Sequence, residues 1–161
     1  GRYIVFKEES MINEDKIWSS KFNARLNKIY YSKLSHRFHM IQTVNLFFSI
    51  LFSTTAFTAV TNIIPLEMRT IVAISSVSCL SVLNVFIAVF SISDKAKRFE
   101  SSKVEWMIIE RRILDLELDD TESIDKIIKE VELMQISEEH VNDKLVDYAY
   151  KRACVELGVR A

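Results

Sequence analysis

The chain has 161 residues, of which 49% are hydrophobic and 27% charged, and its formal net charge is -1. Because it holds two glycines, one proline and two cysteines, its composition favours an all-α fold and excludes a disulfide framework. The charge is unevenly divided, since residues 1–103 hold 13 of the 21 basic and 7 of the 22 acidic residues, and no basic face with interleaved aromatics indicates nucleic-acid binding.

The N-terminal part of the chain predicts an arm followed by a helix. Residues 1–12 combine a short β-prone run with polar residues, which indicates a poorly ordered or edge-docking arm. From residue 13 to 39 the spacing of apolar residues predicts an amphipathic helix. Packing of its apolar stripe against C-terminal helices is favoured over lying flat on a membrane. The stripe comprises Trp18, Phe22, Leu26, Ile29, Tyr30, Leu34 and Phe38, and the opposite side carries Lys21, Arg25, Lys28, Lys33 and Arg37.

Residues 40–93 hold two long apolar runs. No charged residue occurs from Met40 through Leu66 or from Thr70 through Ser93, and roughly 20 residues suffice to cross a bilayer as a helix. Pro65 ends one run, while Glu67 and Arg69 mark emergence into water. We therefore predict a two-span transmembrane hairpin, with spans at about 40–62 and 70–93.

Each predicted span carries a stripe of small and polar side chains. Such a stripe permits close helix packing and cross-helix hydrogen bonds of about 1 kcal/mol each in lipid. It is equally consistent with lining a water-filled path in an oligomer. The predicted pore-lining or helix-interface residues are Gln42, Asn45, Ser49 and Ser53 in the first span and Ser78, Ser81, Asn84 and Ser91 in the second.

Flanking charges predict the orientation of the hairpin. Residues 21–39 and 94–103 are rich in lysine and arginine, whereas the loop between the runs holds only Arg69. Because cytoplasmic flanks of spans carry an excess of basic residues, we expect both termini in the cytoplasm and a multi-pass protein of the bacterial inner (plasma) membrane.

Residues 94–161 predict a cytoplasmic helical region. The helix of the second span is expected to continue into a coiled-coil-like seam that packs on the N-terminal helix or on another subunit. Two short helices follow, the first begun by Asp119 with Glu122 and the second capped by Ser137 and ended by Gly158. The predicted oligomer seam consists of Phe99, Trp106, Ile109, Ile113 and Leu116.

No pattern of residues indicates catalysis. The sequence has no Gly-rich phosphate loop, no nucleophile elbow and no metal-ligand spacing, so neither an enzyme nor a cofactor is predicted. His36 and His39 share a helix face but are too few for a structural zinc site, so no metal ligand is predicted. The acidic residues from Glu105 to Glu132 are expected on solvated helix faces.

The order of these elements resembles the SLATT family. The residues that carry the resemblance are Tyr30 to His39 before the first span, Ser93 to Phe99 after the second, and Asp147 to Cys154 near the end. SLATT proteins are two-transmembrane effector domains of bacterial conflict systems, associated with SMODS nucleotidyltransferases and SLOG sensors. The resemblance implies a membrane effector that forms pores or disrupts the inner membrane in anti-phage defence, without catalytic residues.

The predicted function is therefore that of an oligomeric membrane effector, because two spans cannot enclose a pore alone. The expected partners are the lipid bilayer, further copies of the chain, and a cytoplasmic partner protein or a nucleotide-signalling system. Two alternatives stay open: a non-conducting membrane anchor or scaffold whose cytoplasmic helices recruit a partner, and a phage-encoded holin-like protein.

Overall fold

The computed structural model describes residues 2–53, 57–58, 61–137 and 142–159, with the backbone alone described for residues 2–12 and 136–137. This part of the chain is all-helical, which confirms the predicted fold class at that level. Five helices of more than one turn are described: α1 (Arg2–Leu51), α2 (Leu66–Val89), α3 (Ile92–Leu114), α4 (Thr121–Ser137) and α5 (Asp143–Glu156).

Helix α1 is one continuous helix of 50 residues. Its backbone is helical from Arg2 onward, where the sequence predicted a non-helical arm over residues 1–12. No glycine or proline separates this segment from the amphipathic helix. Because extending an existing helix is far easier than nucleating a new one, weak β preference in a few residues does not stop it.

The chain forms two compact units. The first comprises Gly1–Lys33 and Phe99–Ala161, and the second comprises Leu34–Arg98. The second unit includes both apolar runs but begins at Leu34, before the predicted start of the hairpin at residue 40, and ends at Arg98, after its predicted end at 93. Its bounds therefore include basic flanking residues as well as the apolar runs.

The core of the first unit is built from one face of each of four helices. Trp106 and Tyr30 are its largest fully buried side chains, and both have no exposed surface. The other buried apolar residues are Ala24 and Tyr31 of α1, Ile109 and Ile113 of α3, Ile124, Ile127 and Val131 of α4, and Leu145, Ala149, Ala153 and Cys154 of α5. Cys154 is thus a free thiol packed as a small apolar residue.

The buried face of α1 matches the predicted stripe only in part, at Tyr30 and Leu34. Trp18 is 47% exposed and Phe22 is half-buried, whereas Ala24, Asn27 and Tyr30 are buried. The three buried residues lie three apart and so share a face of the helix. Ala24 and Asn27 on that face allow the neighbouring helices to approach closely. Trp18 and Phe22 lie at its border, where Phe22 meets Tyr150 edge to face at 5.5 Å.

Helices α2 and α3 are separate, which corrects the prediction of one helix running straight out of the second span. Ser91 lies between them with φ 47°, in the left-handed region. Its amide donates to the Ala88 carbonyl at 3.2 Å, and its carbonyl accepts from the Lys95 amide at 3.0 Å. A non-glycine residue in this region costs on the order of 1–2 kcal/mol and gives no signal in hydropathy patterns.

The caps of the two short helices lie close to the predicted positions but use other residues. Helix α4 begins after Asp120 instead of Asp119, and α5 begins after Asn142 instead of Ser137, which is the last residue of α4. The Asn142 side chain accepts from the Leu145 amide at 3.1 Å. Gly158 ends the chain's last helix as predicted, because its φ of 71° lets the Val159 amide reach the Cys154 carbonyl at 2.8 Å.

The Asp120 cap makes helix α4 sensitive to acid. The Ser123 hydroxyl and the Ser123 backbone amide both donate to the carboxylate and hold the pKa of Asp120 below its ordinary value. Folding therefore favours the charged form. The stabilisation is present at neutral pH and is lost as the pH falls through the lowered pKa of the folded chain.

Ion pairs around a buried carboxylate join α1, α3 and α5. Glu110 of α3 has a side chain only 5% exposed, and Lys28 of α1 donates to its Oε2 at 2.9 Å. Arg25, one turn earlier, contacts Oε1 in an ion pair without hydrogen-bond alignment and also reaches Glu156 of α5 at 3.2 Å. The ion cluster of Arg25, Lys28, Glu110, Arg152 and Glu156 therefore links three helices.

We predict that Trp106→Ala lowers the free energy of unfolding by about 3–5 kcal/mol, because it removes a fully buried indole and leaves a cavity. Trp18→Ala is the matched control, since Trp18 is 47% exposed and loses mainly its stack on Phe22, worth about 1 kcal/mol or less. Thermal or urea unfolding of the protein in detergent micelles measures both. Equal losses for the two tryptophans would contradict the described core.

Removal of the buried charge provides a second test. Glu110→Gln removes the counter-charge of Lys28 and leaves Arg25 paired with Glu156 alone, but the Arg25 and Lys28 side chains are 27% and 31% exposed and can regain some water. We expect a loss of about 2–3 kcal/mol in unfolding free energy. Glu130→Gln, which breaks the exposed pair between Glu130 and Arg112, should lose about 1 kcal/mol or less. The same unfolding measurement compares them, and a larger loss at Glu130 would refute the buried cluster.

Candidate membrane helix and helix interface

Helix α2 is the one helix, among the residues that the structure describes, that is long and apolar enough to cross a membrane. Its 24 residues correspond to about 36 Å, against roughly 30 Å for the hydrocarbon core of a bilayer. None of these residues is buried within the chain. A core helix of comparable apolarity in a soluble protein would be largely buried, so α2 differs from such a core helix.

The first predicted span is described only in part. Residues 40–51 belong to α1, and Met40, Leu46, Phe47 and Ile50 are each more than half exposed. Residues 54–56 and 59–60 of this span lie outside the described residues. The charge-free part of α1 is by itself shorter than a bilayer crossing, so the two-span hairpin stays a prediction.

The polar stripe of the second span is exposed in the single chain. Ser78, Ser81, Asn84 and Ser91 all present accessible side chains. Ser81 satisfies its hydroxyl within its own helix by donating to the Val77 carbonyl at 2.8 Å. Asn84 makes no side-chain hydrogen bond within the described residues. Its amide is therefore the strongest unmet polar requirement on the surface of α2.

The polar stripe of the first span is more enclosed. Gln42, Asn45 and Ser49 are half-buried, and Ser53 is exposed. The Asn45 side-chain oxygen is buried and has no hydrogen-bond partner in the described part of the chain. Asn45 and Asn84 are therefore not joined by a hydrogen bond, although both belong to the second unit. The role of these stripes as a pore lining or a helix interface stays a prediction.

The predicted oligomer seam on α3 is covered largely by the chain itself. Trp106, Ile109 and Ile113 are buried, and Leu116 is half-buried. Phe99 stacks on Tyr31 of α1 with ring centroids 6.1 Å apart. The seam was predicted to pack on the N-terminal helix or on another subunit, and the N-terminal helix occupies part of this face. An oligomer contact along α3 would have to use the opposite face of the helix.

Sequence reasoning missed the role of Glu110, which it placed with the other acidic residues on a solvated face. The signal was present, because Glu110 lies four residues after Trp106 and three before Ile113 and therefore shares their face. On α5, Leu145 and Ala149 are buried, whereas Tyr148 is 44% exposed and carries Lys33 over its ring at 5.4 Å from the centroid.

Neither the search for a metal site nor the comparison with known proteins assigns a function to the chain. Within the described ranges, no three His, Cys, Asp or Glu side chains are grouped closely enough to hold a metal ion. Comparisons of the chain with protein-family models, curated proteins and solved structures found no match. The resemblance to the SLATT family therefore stays a prediction.

The two cysteines test whether α2 lies in lipid. Cys79 is exposed on the middle of α2 and Cys154 is buried in the first unit. We predict that, in protein reconstituted into lipid, Cys79 is protected from a membrane-impermeant maleimide and reacts with it once the protein is unfolded in denaturing detergent. Charged reagents do not enter the hydrocarbon core, and a thiol there does not form the reactive thiolate. Mass spectrometry after labelling measures the modification.

Cys154→Ser and Cys79→Ser variants assign the label to one thiol each. Cys154 should react only after unfolding, which provides the control for burial within the protein. Rapid reaction of Cys79 with the impermeant reagent in folded, reconstituted protein would place α2 outside the membrane and refute its assignment as a span.

Proposed function

We propose that this protein is an oligomeric membrane effector that forms a pore in, or perturbs, the bacterial inner membrane. The observation that carries the proposal is α2, a 24-residue apolar helix without one buried residue in the single chain. Lipid covers apolar side chains of this kind well. The proposal includes the second predicted span at about residues 40–62 and places the function in anti-phage defence, as the resemblance to the SLATT family implies.

The exposed amide of Asn84 supports assembly of several copies. An amide in hydrocarbon without a hydrogen-bond partner costs several kcal/mol. Asn84 has no side-chain partner among the described residues, and Asn45 offers no bond to it. In the proposed assembly, a neighbouring subunit or water in a central path supplies one. Ser78 and Ser81 are exposed on the same helix, so a polar strip faces that neighbour or path.

The orientation in the proposal follows from charges at the ends of the runs. Lys33 and Arg37 precede the first run, and Lys95, Lys97 and Arg98 follow the second. Because short cytoplasmic flanks are rich in basic residues, both termini are placed in the cytoplasm. The loop with Glu67 and Arg69 is placed outside.

A non-conducting scaffold is the second candidate function. It is favoured by apolar side chains on the outer side of α3, where Val104 and Met107 are each 39% exposed and Ile108 is 51% exposed. Such a surface fits a partner helix as well as another copy of the chain. Ion release from liposomes that contain the purified protein separates the two functions, because a scaffold gives no leak above that of empty liposomes.

Asn84→Leu tests the role of the polar strip. We predict that this variant inserts into membranes and expresses like the parent protein, yet lowers ion leak from liposomes about tenfold or more, since an apolar constriction excludes water from a narrow path. Fluorescence of a dye sensitive to the released ion measures the leak, and chemical cross-linking in the same liposomes measures assembly.

Val85→Leu is the matched control, because Val85 is the exposed neighbour of Asn84 on α2 and is already apolar. It should leave leak and assembly unchanged. If Asn84→Leu lowers leak and assembly together, the amide joins subunits without lining the path. A variant that inserts, assembles and leaks like the parent would show that Asn84 faces lipid or a lipid head group, and would remove the support that Asn84 gives to the proposal.

A further inference from the structure

We propose that the first unit binds a small phosphate-bearing anion in a basic groove between α1 and α5. The basic groove is formed by Arg25, Lys28, Lys33, Tyr148, Arg152 and Glu156 and encloses about 320 Å³. This volume lies at the lower end of the range for small-molecule sites. The inference does not depend on the proposed membrane function, since all its residues belong to the first unit.

Positive charge predominates in the groove. Four cationic side chains, Arg25, Lys28, Lys33 and Arg152, are opposed by two carboxylates, Glu110 and Glu156. The Glu110 carboxylate is 5% exposed and does not line the groove, so the cations that it pairs are more accessible to an incoming ligand. A phosphate monoester carries about -1.5 to -2 at neutral pH, which matches the remaining positive charge.

The two carboxylates also hold the cations in place. Glu110 fixes Lys28 at 2.9 Å, and Glu156 fixes Arg25 at 3.2 Å and Arg152 at 3.0 Å. Long basic side chains lose rotamer freedom when they bind an anion, and prior fixation reduces that loss. Each guanidinium retains further N–H donors for a second acceptor, and this planar arrangement matches phosphate oxygens.

Lys33 and Tyr148 define the outer end of the groove. The Lys33 ammonium lies 5.4 Å from the centroid of the Tyr148 ring and forms no carboxylate pair within the described residues. A cation over an aromatic face is held by about 1 kcal/mol or less at an exposed site, so a phosphate group can attract it readily. The exposed part of the Tyr148 ring leaves an apolar surface beside the anion site for an organic substituent.

The shared chemistry is a phosphate group, which a soluble phosphorylated molecule or a lipid head group can supply. Full-length protein in phosphatidylcholine nanodiscs is titrated with pyrophosphate and with phenyl phosphate by calorimetry. Binding of either probe assigns a soluble ligand. If neither probe binds, nanodiscs of phosphatidylglycerol test the head group. The NMR signals of the Lys33 and Arg152 side chains should then shift relative to those in phosphatidylcholine nanodiscs.

The variant Lys33→Gln with Arg152→Gln removes the two outer cations and leaves the buried Glu110 contacts intact. We expect it to weaken binding of the probe by about tenfold or more. If the ligand is a lipid head group, we expect it to abolish the response to phosphatidylglycerol. The double variant Lys126→Gln with Lys129→Gln is the matched control, because it removes equal charge from exposed positions on α4 and should change affinity less than about twofold.

Glu156→Gln tests the sign of the electrostatic argument. Removal of this carboxylate takes one negative charge out of the groove, while Arg25 stays paired with Glu110. The gain in attraction should exceed the lost fixation of Arg152 and tighten binding about threefold, an effect that damage to the fold would not produce. Thermal unfolding verifies that each variant is folded. The proposal is overturned if neither probe binds and phosphatidylglycerol gives no response, if both double variants weaken binding equally, or if Glu156→Gln weakens it.

Discussion

A carboxylate withdrawn from water requires cations close by, and Glu110 meets this requirement with two side chains on one face of α1. Arg25 and Lys28 are three residues apart, so they can approach the same group only when α1 lies against α3 in one register. The contact of Arg25 with Glu156 extends the constraint to α5. The apolar core around Trp106 supplies most of the stability, while the charges select the alignment of the helices.

In the proposed membrane role, the second unit depends on a different constraint. A bilayer supplies no hydrogen bonds, so a helix that crosses it must satisfy its own polar groups or share them with neighbours. Ser81 on α2 uses the first route, since its hydroxyl bonds to the preceding turn. Asn84 cannot do the same with both ends of its amide. The proposed assembly therefore depends on Asn84 more than on the serines of the polar strip.

The fold class and the helical regions were predictable from the sequence because periodicity and charge-free length are strong local signals. Helix ends were less so, since Asp119 and Asp120 are chemically equal caps and only the backbone path selects Asp120. The break at Ser91 had no signal, because glycine is the usual residue at a positive φ. For the predicted seam, periodicity identified the buried face of α3 around Trp106. It does not distinguish covering by the same chain from covering by another subunit.

The uneven charge of the two halves has an explanation that the sequence alone did not provide. Basic residues of α1 pair with acidic residues from the C-terminal half, as Lys16 does with Asp125 and Lys28 with Glu110. Part of the positive charge is thus neutralised within the protein and does not serve anionic lipid. The basic residues that predict the orientation remain available, because Arg37 and Lys97, which flank the apolar runs more closely, are exposed and outnumber Arg69 in the loop.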